Sequence, residues 1–487
     1  MRCAKLSLFF YFKTTSVYSD ILVIGGGAAG LMAACSAARA LSEAGSSASV
    51  TVLERMPRPA RKVMITGKGR CNFTNVKDWN SFSSHIRSNP NVVRPAFYNF
   101  TPENALAFFE QQGMPTVVER GDRAYPASHH ASDVVDALVR ACNSYGVKII
   151  TGVEAKQIEY GVATKTGQGS FRVDGNYRSN CLILATGGLS YPTTGSTGDG
   201  YRFAEAAGHS ITPLFPSLTA LVPRGYKQNL PSGDGSAQPG APSTGPDEPH
   251  HIDRSLPLAD LGKALCGQQL KNIGVQLLVE GTVAQEEFGD VDFTDGGLEG
   301  PVGFQISRKA VKSLLNGSRV AVVLDLKHGV PVSELTARIA ELKAEIERDP
   351  RSKRLGDKEK IRILLGKLMP WDLIPTFRQM NPQVGNRKNA DSRGWGGADP
   401  AAIATALKSW RFDIDGYVGY ERAVVTAGGV DTTEIIAKTL ESRKMPGLFF
   451  CGEVLDIDAD TGGYNLHLAF ATGKLAGESA ARWRTSH

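Results

Sequence analysis

At 487 residues, with 41% hydrophobic and 21% charged side chains, the chain is long enough for two or three domains with sizeable cores and has an ordinary globular composition. Its formal net charge of +6 is spread without a dense Lys/Arg block, which argues against a nucleic-acid partner, and no apolar run reaches membrane-spanning length, which argues against stable membrane insertion. The seven cysteines are odd in number, scattered and without a C-x-x-C pair, so neither a disulfide framework nor a metal site is expected and a reducing compartment is the default.

Residues 1–19 carry Arg2, Lys5 and Lys13, no acid, and an apolar run from Leu6 to Phe12. They read either as a dispensable leader, with the protein cytoplasmic, or as a transit peptide to a mitochondrion or plastid. Asp20-Ile21-Leu22-Val23-Ile24 is then a buried strand that ends in Gly25-Gly26-Gly27-Ala28-Ala29-Gly30, and a helix of small residues follows from Leu31. Each position in Gly25-x-Gly27-x-x-Gly30 has a task. Gly25 makes the tight turn, Gly27 lets a pyrophosphate approach the backbone, and Gly30 lets the helix pack close to the strand. The helix N-terminus, with Ala28 and Ala29, offers free N–H groups to the phosphates. A second strand, Val50-Thr51-Val52-Leu53, ends in Glu54-Arg55, and an acid there accepts hydrogen bonds from a ribose diol.

A basic, glycine-rich loop follows, from Arg58 through Lys62 to Gly69-Arg70-Cys71-Asn72 and Asn75, suited to wrapping a diphosphate or a flavin with backbone N–H groups and cations. Cys71 reads as a packed small residue of this loop or as a thiol activated by Lys68 and Arg70. Helices are expected over 101–113 and 132–140, strands at 117–120 and 147–150, and a meander of short strands over 153–184. Its last strand runs into Ala185-Thr186-Gly187-Gly188, a small-residue return to the cofactor, and Leu189 to Gly200 forms a candidate active-site wall.

The character changes at residue 214. Residues 214–419 read as an inserted substrate or cap domain, a small β-barrel or sandwich with a helical part, and within it 226–254 is so poor in large apolar residues that disorder is expected. Strands fall near 272–280, 283–293 and 319–326, and helices at 332–347, 357–369 and 399–409. The C-terminal stretch returns to the first pattern. Phe449-Phe450-Cys451 leads into Gly452-Glu453 and Asp456, and Gly462-Gly463-Tyr464-Asn465-Leu466 opens a helix whose N-terminal dipole suits the negative charge of a reduced flavin. The fold class is therefore α/β. A discontinuous Rossmann-type FAD-binding domain, 20–213 with 420–487, is interrupted by the β-barrel-like and helical insertion. Only one complete glycine fingerprint is present, so no dedicated second nucleotide domain is expected.

Together these blocks, with Phe293-Thr294, Gly300-Pro301 and Val425–Val430, resemble the BaiN-like, aminoacetone-oxidase-type family of NAD(P)/FAD-dependent oxidoreductases over nearly the whole chain from residue 20. The resemblance implies FAD contacts at Ala28, Glu54, the Lys62 region, Val153 and Gly452–Leu466, with NAD(P)H as a candidate electron donor. It implies hydride transfer between flavin and a small organic substrate, with reduction of a C=C bond conjugated to a ketone as the lead chemistry. An FAD-dependent amine oxidase and a non-enzymatic flavin redox sensor are the alternatives, as is an RNA-modifying flavoenzyme, which should show a stronger basic surface. Tyr191 and Tyr464 are the candidate proton donors. His467 stands where the family pattern leads one to expect Gln or a similar polar residue. Substrate, hydride direction and oligomeric state are not legible at this level.

Overall fold

The computed structural model describes residues 17–161, 171–228, 250–384, 395 and 398–486. Expectations for residues 1–16, for the meander around Gly167 and Gly169, and for 229–249 fall outside these. The chain divides into two compact units, one of Met1–Thr212 with Gly428–His487 and one of Pro213–Ala427. Among the described residues no helix is long and apolar enough to cross a membrane.

The first unit is built on parallel strands. Leu448–Phe450, Tyr177–Leu184, Val17–Ile24, Val50–Glu54 and Lys148–Thr151 lie side by side in that order, each parallel to the next. The register aligns Ile24 with both Leu53 and Leu184, and Phe450 with Leu184, so Gly25, Glu54-Arg55, Ala185 and Cys451-Gly452 all emerge at one edge. Ile21, Val23, Leu182 and Ile183 are fully buried, as expected of strands covered on both faces. Val17 to Ser19 belong to the first strand, so the leader expected over 1–19 stops sooner; Ser19 is buried and bonds backbone carbonyls at Ile21 and Ser49.

Helix Ala28–Glu43 packs along the C-terminal helix Tyr464–Ser486. The contact is close because Gly473 and Gly477 face the Ala29 and Ala33 carbonyls, where any Cβ would overlap the oxygen. The meander pairs Ile158–Tyr160 with Phe171–Val173 and the latter with Tyr177–Leu184. Thr74–Asn75, Arg123–Pro126 and Thr116–Glu119 make a small antiparallel sheet.

The second unit is a closed barrel. Its strands run Leu221–Pro223, Gly297–Glu299, Thr282–Thr294, Gln269–Val279, Val320–Asp325 and Trp410–Tyr417, and the last pairs back with the first. Val275, Leu277, Phe293, Leu324 and Phe412 belong to its core. Helix Gly300–Leu315, unanticipated from sequence, packs on it; Pro400–Lys408 packs against Val320–Asp325, and Val332–Arg348 packs in turn on Pro400–Lys408. Of the stretch 226–254, expected to be disordered, the described residues 226–228 and 250–254 are anchored. Tyr226 is buried with its hydroxyl donating to the Thr294 carbonyl (2.7 Å), and Lys227 Nζ donates to the carbonyls of Arg254 (2.8 Å) and Leu256 (2.7 Å). Ile252 is buried as well. These few anchoring residues outweigh the composition of the window around them.

Candidate functional site

The C-terminal edge of the parallel strands is where an open α/β sheet presents its ligand site. Gly25 turns the chain there with φ 103°, and a Cβ on Gly30 would overlap the Gly25 carbonyl oxygen. Gly27 differs: nothing lies within 4 Å of the Cβ position it leaves empty. That gap opens at the N-terminus of helix Ala28–Glu43, which carries no side-chain cap and no acid in its first turn. A diphosphate fits this cradle, since unpaired N–H groups and the helix dipole face a space that any larger residue at 27 would fill.

Glu54 closes one side. Its Oε2 accepts the Gly26 N–H and its Oε1 the Met56 N–H, both at 2.7 Å. Burial pushes its carboxyl above the usual range, with the two N–H groups pulling the other way. Each oxygen keeps a further lone pair, so the ribose role stays open to it. Val153 lies beside this strand end, its N–H donating to the Glu54 carbonyl at 3.0 Å.

The cations expected to meet a cofactor are paired. Arg55 bonds Asp199 (2.7 Å), Glu154 (2.6 Å) and Thr197. Arg70 pairs with Glu119 and lies over the Tyr125 ring at 4.5 Å. Lys62 Nζ sits 2.7 Å from Glu453 Oε2 and contacts Ser190 Oγ, which itself donates to Glu453 Oε1 at 2.7 Å. The structure thus joins the basic loop, the Ala185–Gly200 wall and the Gly452-Glu453 turn in one cluster. The Ala60 N–H donates to the Gly26 carbonyl (2.8 Å), which ties the loop to the glycine turn.

Asn72 Oδ1 is buried with no partner and lies 2.8 Å from where a Gly463 Cβ would stand. An orphaned buried acceptor beside the two-glycine turn fits a ligand donor at that point. Gly69 precedes it with φ 87°. Cys71 is wholly buried and burial pushes its thiol up to about 12, which removes the reactive-thiol reading and leaves the packing one.

The return strand makes the far wall. The Ala185 N–H donates to the Ile24 carbonyl at 2.9 Å, Gly187 turns with φ 73°, and Gly200 packs against Thr186 Oγ1 so closely that a Cβ would overlap it. Gly188 O accepts the Gly198 N–H at 3.2 Å. Gly452 donates its N–H to Thr472 Oγ1 at 3.0 Å, and the Asp456 N–H donates to the Val430 carbonyl at 3.1 Å.

Four residues at the closing helix, and Tyr191 in the wall, are placed less simply than the motif suggests. Asn465 is engaged by its own turn: its Oδ1 accepts the Ala459 N–H (2.9 Å) and its Nδ2 donates to the carbonyls of Ala459 (2.7 Å) and Asp460 (3.1 Å). Leu466 is half-buried beside it. Tyr464 is buried against Phe82 and His85, and burial pushes its hydroxyl up to about 12. Tyr191 sits in the wall with φ 51° and is half-buried. His467 is fully buried among Phe82, Phe97 and Phe100, with Nδ1 2.9 Å from Thr74 Oγ1.

Sequence reasoning missed a second cluster. His85 Nδ1 lies 3.0 Å from Asp460 Oδ2, and Arg87 Nε donates to Asp460 Oδ1 at 2.6 Å. No local pattern marks it, because its partners are hundreds of residues apart.

Set against known proteins, residues 19–479 match the family described as HI0933-like protein Rossmann domain. A 3-dehydro-bile acid delta(4,6)-reductase from Clostridium scindens is 31% identical over 462 residues, covering 94% of this chain and 98% of that protein. Proteins called ribosomal RNA dihydrouridine synthase are 29% identical in Haemophilus influenzae, over 96% of this chain and all of the relative, and 27% identical in Escherichia coli, over 93% and 96%.

Proposed function

The chain belongs to the HI0933-like Rossmann-domain family of FAD-dependent oxidoreductases, and from that premise we propose that it reduces a C=C bond conjugated to a carbonyl in a small organic substrate. What carries the reading is the end-to-end likeness to a delta(4,6)-reductase, a class of enzyme that saturates such a bond. The residues in hand are of the right kind. Gly27 and the helix N-terminus behind it would hold the diphosphate, and Glu54 the adenosine ribose. The Lys62–Glu453–Ser190 cluster would hold the ribityl chain, and Asn72 with the Gly462-Gly463 turn the flavin edge. When bound, FAD supplies the hydride. The protein's part is to orient the alkene, exclude water and deliver a proton. NADH or NADPH is the proposed source of electrons.

The test is anaerobic. Purified protein should be yellow, and NADH or NADPH should bleach the flavin absorbance. A 3-oxo-4,6-diene bile acid should then restore it with formation of a saturated product. Bleaching by amines but by neither nicotinamide would favour the oxidase instead. A second reading takes the same chemistry to the uracil ring, supported by the two dihydrouridine synthase relatives. Restoration of the reduced flavin by ribosomal RNA, with dihydrouridine formed, and not by the bile acid would favour it.

A further inference from the structure

A bridge between Ile86 and Ala459 fastens residues 85–87 to residues 458–460. The Arg87 N–H donates to the Asp458 carbonyl at 2.8 Å, and the Asp460 N–H to the His85 carbonyl at 2.9 Å. The side chains of these two segments converge on one carboxylate. Asp460 takes His85 Nδ1 on Oδ2, Arg87 Nε on Oδ1 and Arg87 Nη2 on Oδ2. Asp460 is sealed, with 2% of its side chain exposed, whereas His85 keeps 30%. In an ion pair with Arg87 the carboxylate only accepts, so His85 Nδ1 carries the proton of their shared bond. Nε2 is left on the other edge of the ring, and no described side chain engages it. The ring is also fixed in plane, stacked on Tyr464 at 4.3 Å and 20°. Tyr464 is the first residue of the closing helix, directly after Gly462-Gly463, at the end assigned above to the flavin. The other charges about this stack are Asp122 and Arg123, which act on Tyr464.

We propose that His85 is the proton donor to the substrate, with Asp460 as its positioning residue; this rests on the reading of the protein as an alkene reductase. In the step the C=C π bond opens. Its β-carbon takes the hydride that reduced FAD supplies, and its α-carbon takes the proton from Nε2 of the doubly protonated, cationic His85 ring, which is left neutral with its remaining proton on Nδ1. Two C–H bonds form, the substrate gains two electrons, and FAD is left oxidised. His85 recovers its proton from water while Nδ1–H stays with Asp460. An imidazole held this way needs no movement between donating and reloading.

The test uses the full chain loaded with FAD and reduced with dithionite, with a 3-oxo-4,6-diene bile acid as probe. Reoxidation by the probe should slow about 100-fold or more in His85→Ala, and imidazole added to the buffer should restore part of the rate. Ferricyanide, which takes electrons without a proton, reports that the flavin is still bound and reachable. His85→Gln, which keeps a donor toward Asp460 and preserves bulk in the stack, should be slowed as well. A second readout needs no turnover: ¹⁵N NMR of histidine-labelled protein should show His85, assigned by its loss in His85→Gln, with the proton on Nδ1. A variant reoxidised by the probe at the wild-type rate, a slow His85→Ala that imidazole does not rescue, or a neutral His85 protonated on Nε2 each overturns the proposal. Wild-type protein that the probe cannot reoxidise marks instead the failure of the alkene-reductase reading, and the proposal falls with it.

Discussion

Glu54 has two tasks that substitution can separate. Its oxygens satisfy the N–H groups of Gly26 and Met56, and the same oxygens are assigned to the ribose. Glu54→Ala strands one buried and one half-buried donor, each costing up to about 1–3 kcal/mol. We therefore expect a lower melting temperature in the apoprotein and a loss of FAD affinity of about tenfold or more; unchanged FAD titration would remove Glu54 from the cofactor site. His467 makes a pH prediction. Burial drives its pKa down to about 3, the Phe100 backbone opposing only in part, so the folded protein keeps the ring neutral where the unfolded chain protonates it near 6.5. Between those values the unfolded state binds more protons. Stability from this site is complete above about pH 6.5 and falls as the pH drops, by up to about 1.4 kcal/mol per pH unit. Urea unfolding of wild type and His467→Gln from pH 7 to 4 should show a flatter profile in the variant, and parallel profiles would contradict the assignment.

The strand–turn–helix element carries the sharpest contrast between fold and function. Gly30 and Gly27 belong to one motif but face different surroundings. A Cβ at 30 overlaps the Gly25 carbonyl, whereas one at 27 meets nothing, and Gly27 has φ −78°, which alanine adopts freely. Gly30→Ala should therefore give little soluble folded protein, while Gly27→Ala should fold with a near-normal circular dichroism spectrum and melting curve and emerge without yellow colour. A yellow Gly27→Ala protein with wild-type FAD affinity would show that the gap is not the diphosphate cradle. This element was legible because its signals are local: an apolar strand, spaced glycines and an acid at the next strand end. Helix Gly300–Leu315 was not, since Gly300-Pro301-Val302-Gly303 reads as a turn. Its start signal was the proline in the first turn, and the buried Val302, Ile306, Ala310 and Leu314 then recur every four residues. Strand Trp410–Tyr417 was likewise hidden behind the helix before it, although Trp410, Phe412 and Ile414 alternate as buried positions. The His85–Asp460 pair shows the harder limit. Only a bridge between distant segments makes it a unit, and no spacing in the chain records that bridge.

At the scale of the whole molecule, each unit closes on itself where the chain passes between them. In the first, the Thr212 N–H donates to the Gly429 carbonyl at 2.8 Å, Thr212 Oγ1 accepts the Gly429 N–H at 3.0 Å, and Ile211 bridges Val430. In the second, Phe215 pairs with Ala427 on two short antiparallel strands. Both units therefore have their ends as hydrogen-bonded neighbours, the condition under which an insertion is tolerated or removed at small cost. We propose the boundaries at Thr212/Pro213 and Ala427/Gly428, and expect a shortened chain joining Thr212 to Gly428 through a few Gly/Ser residues to fold. Replacing a long excursion by a short tether also lowers the entropy of closing that loop, so the parallel sheet should form no less readily than in the full chain. The residues assigned to FAD all lie in the retained part: Gly27, Glu54, Lys62, Asn72, Glu453 and Gly463. The shortened protein should thus bind FAD and accept electrons from dithionite, yet fail to reduce the bile-acid probe, if 213–427 supplies the substrate contacts. Flavin absorbance, ferricyanide turnover and probe reoxidation read these separately. Loss of FAD binding in a shortened chain that still melts cooperatively would mean that the barrel unit helps hold the cofactor, and full probe turnover would place the substrate contacts in the parallel-sheet unit alone.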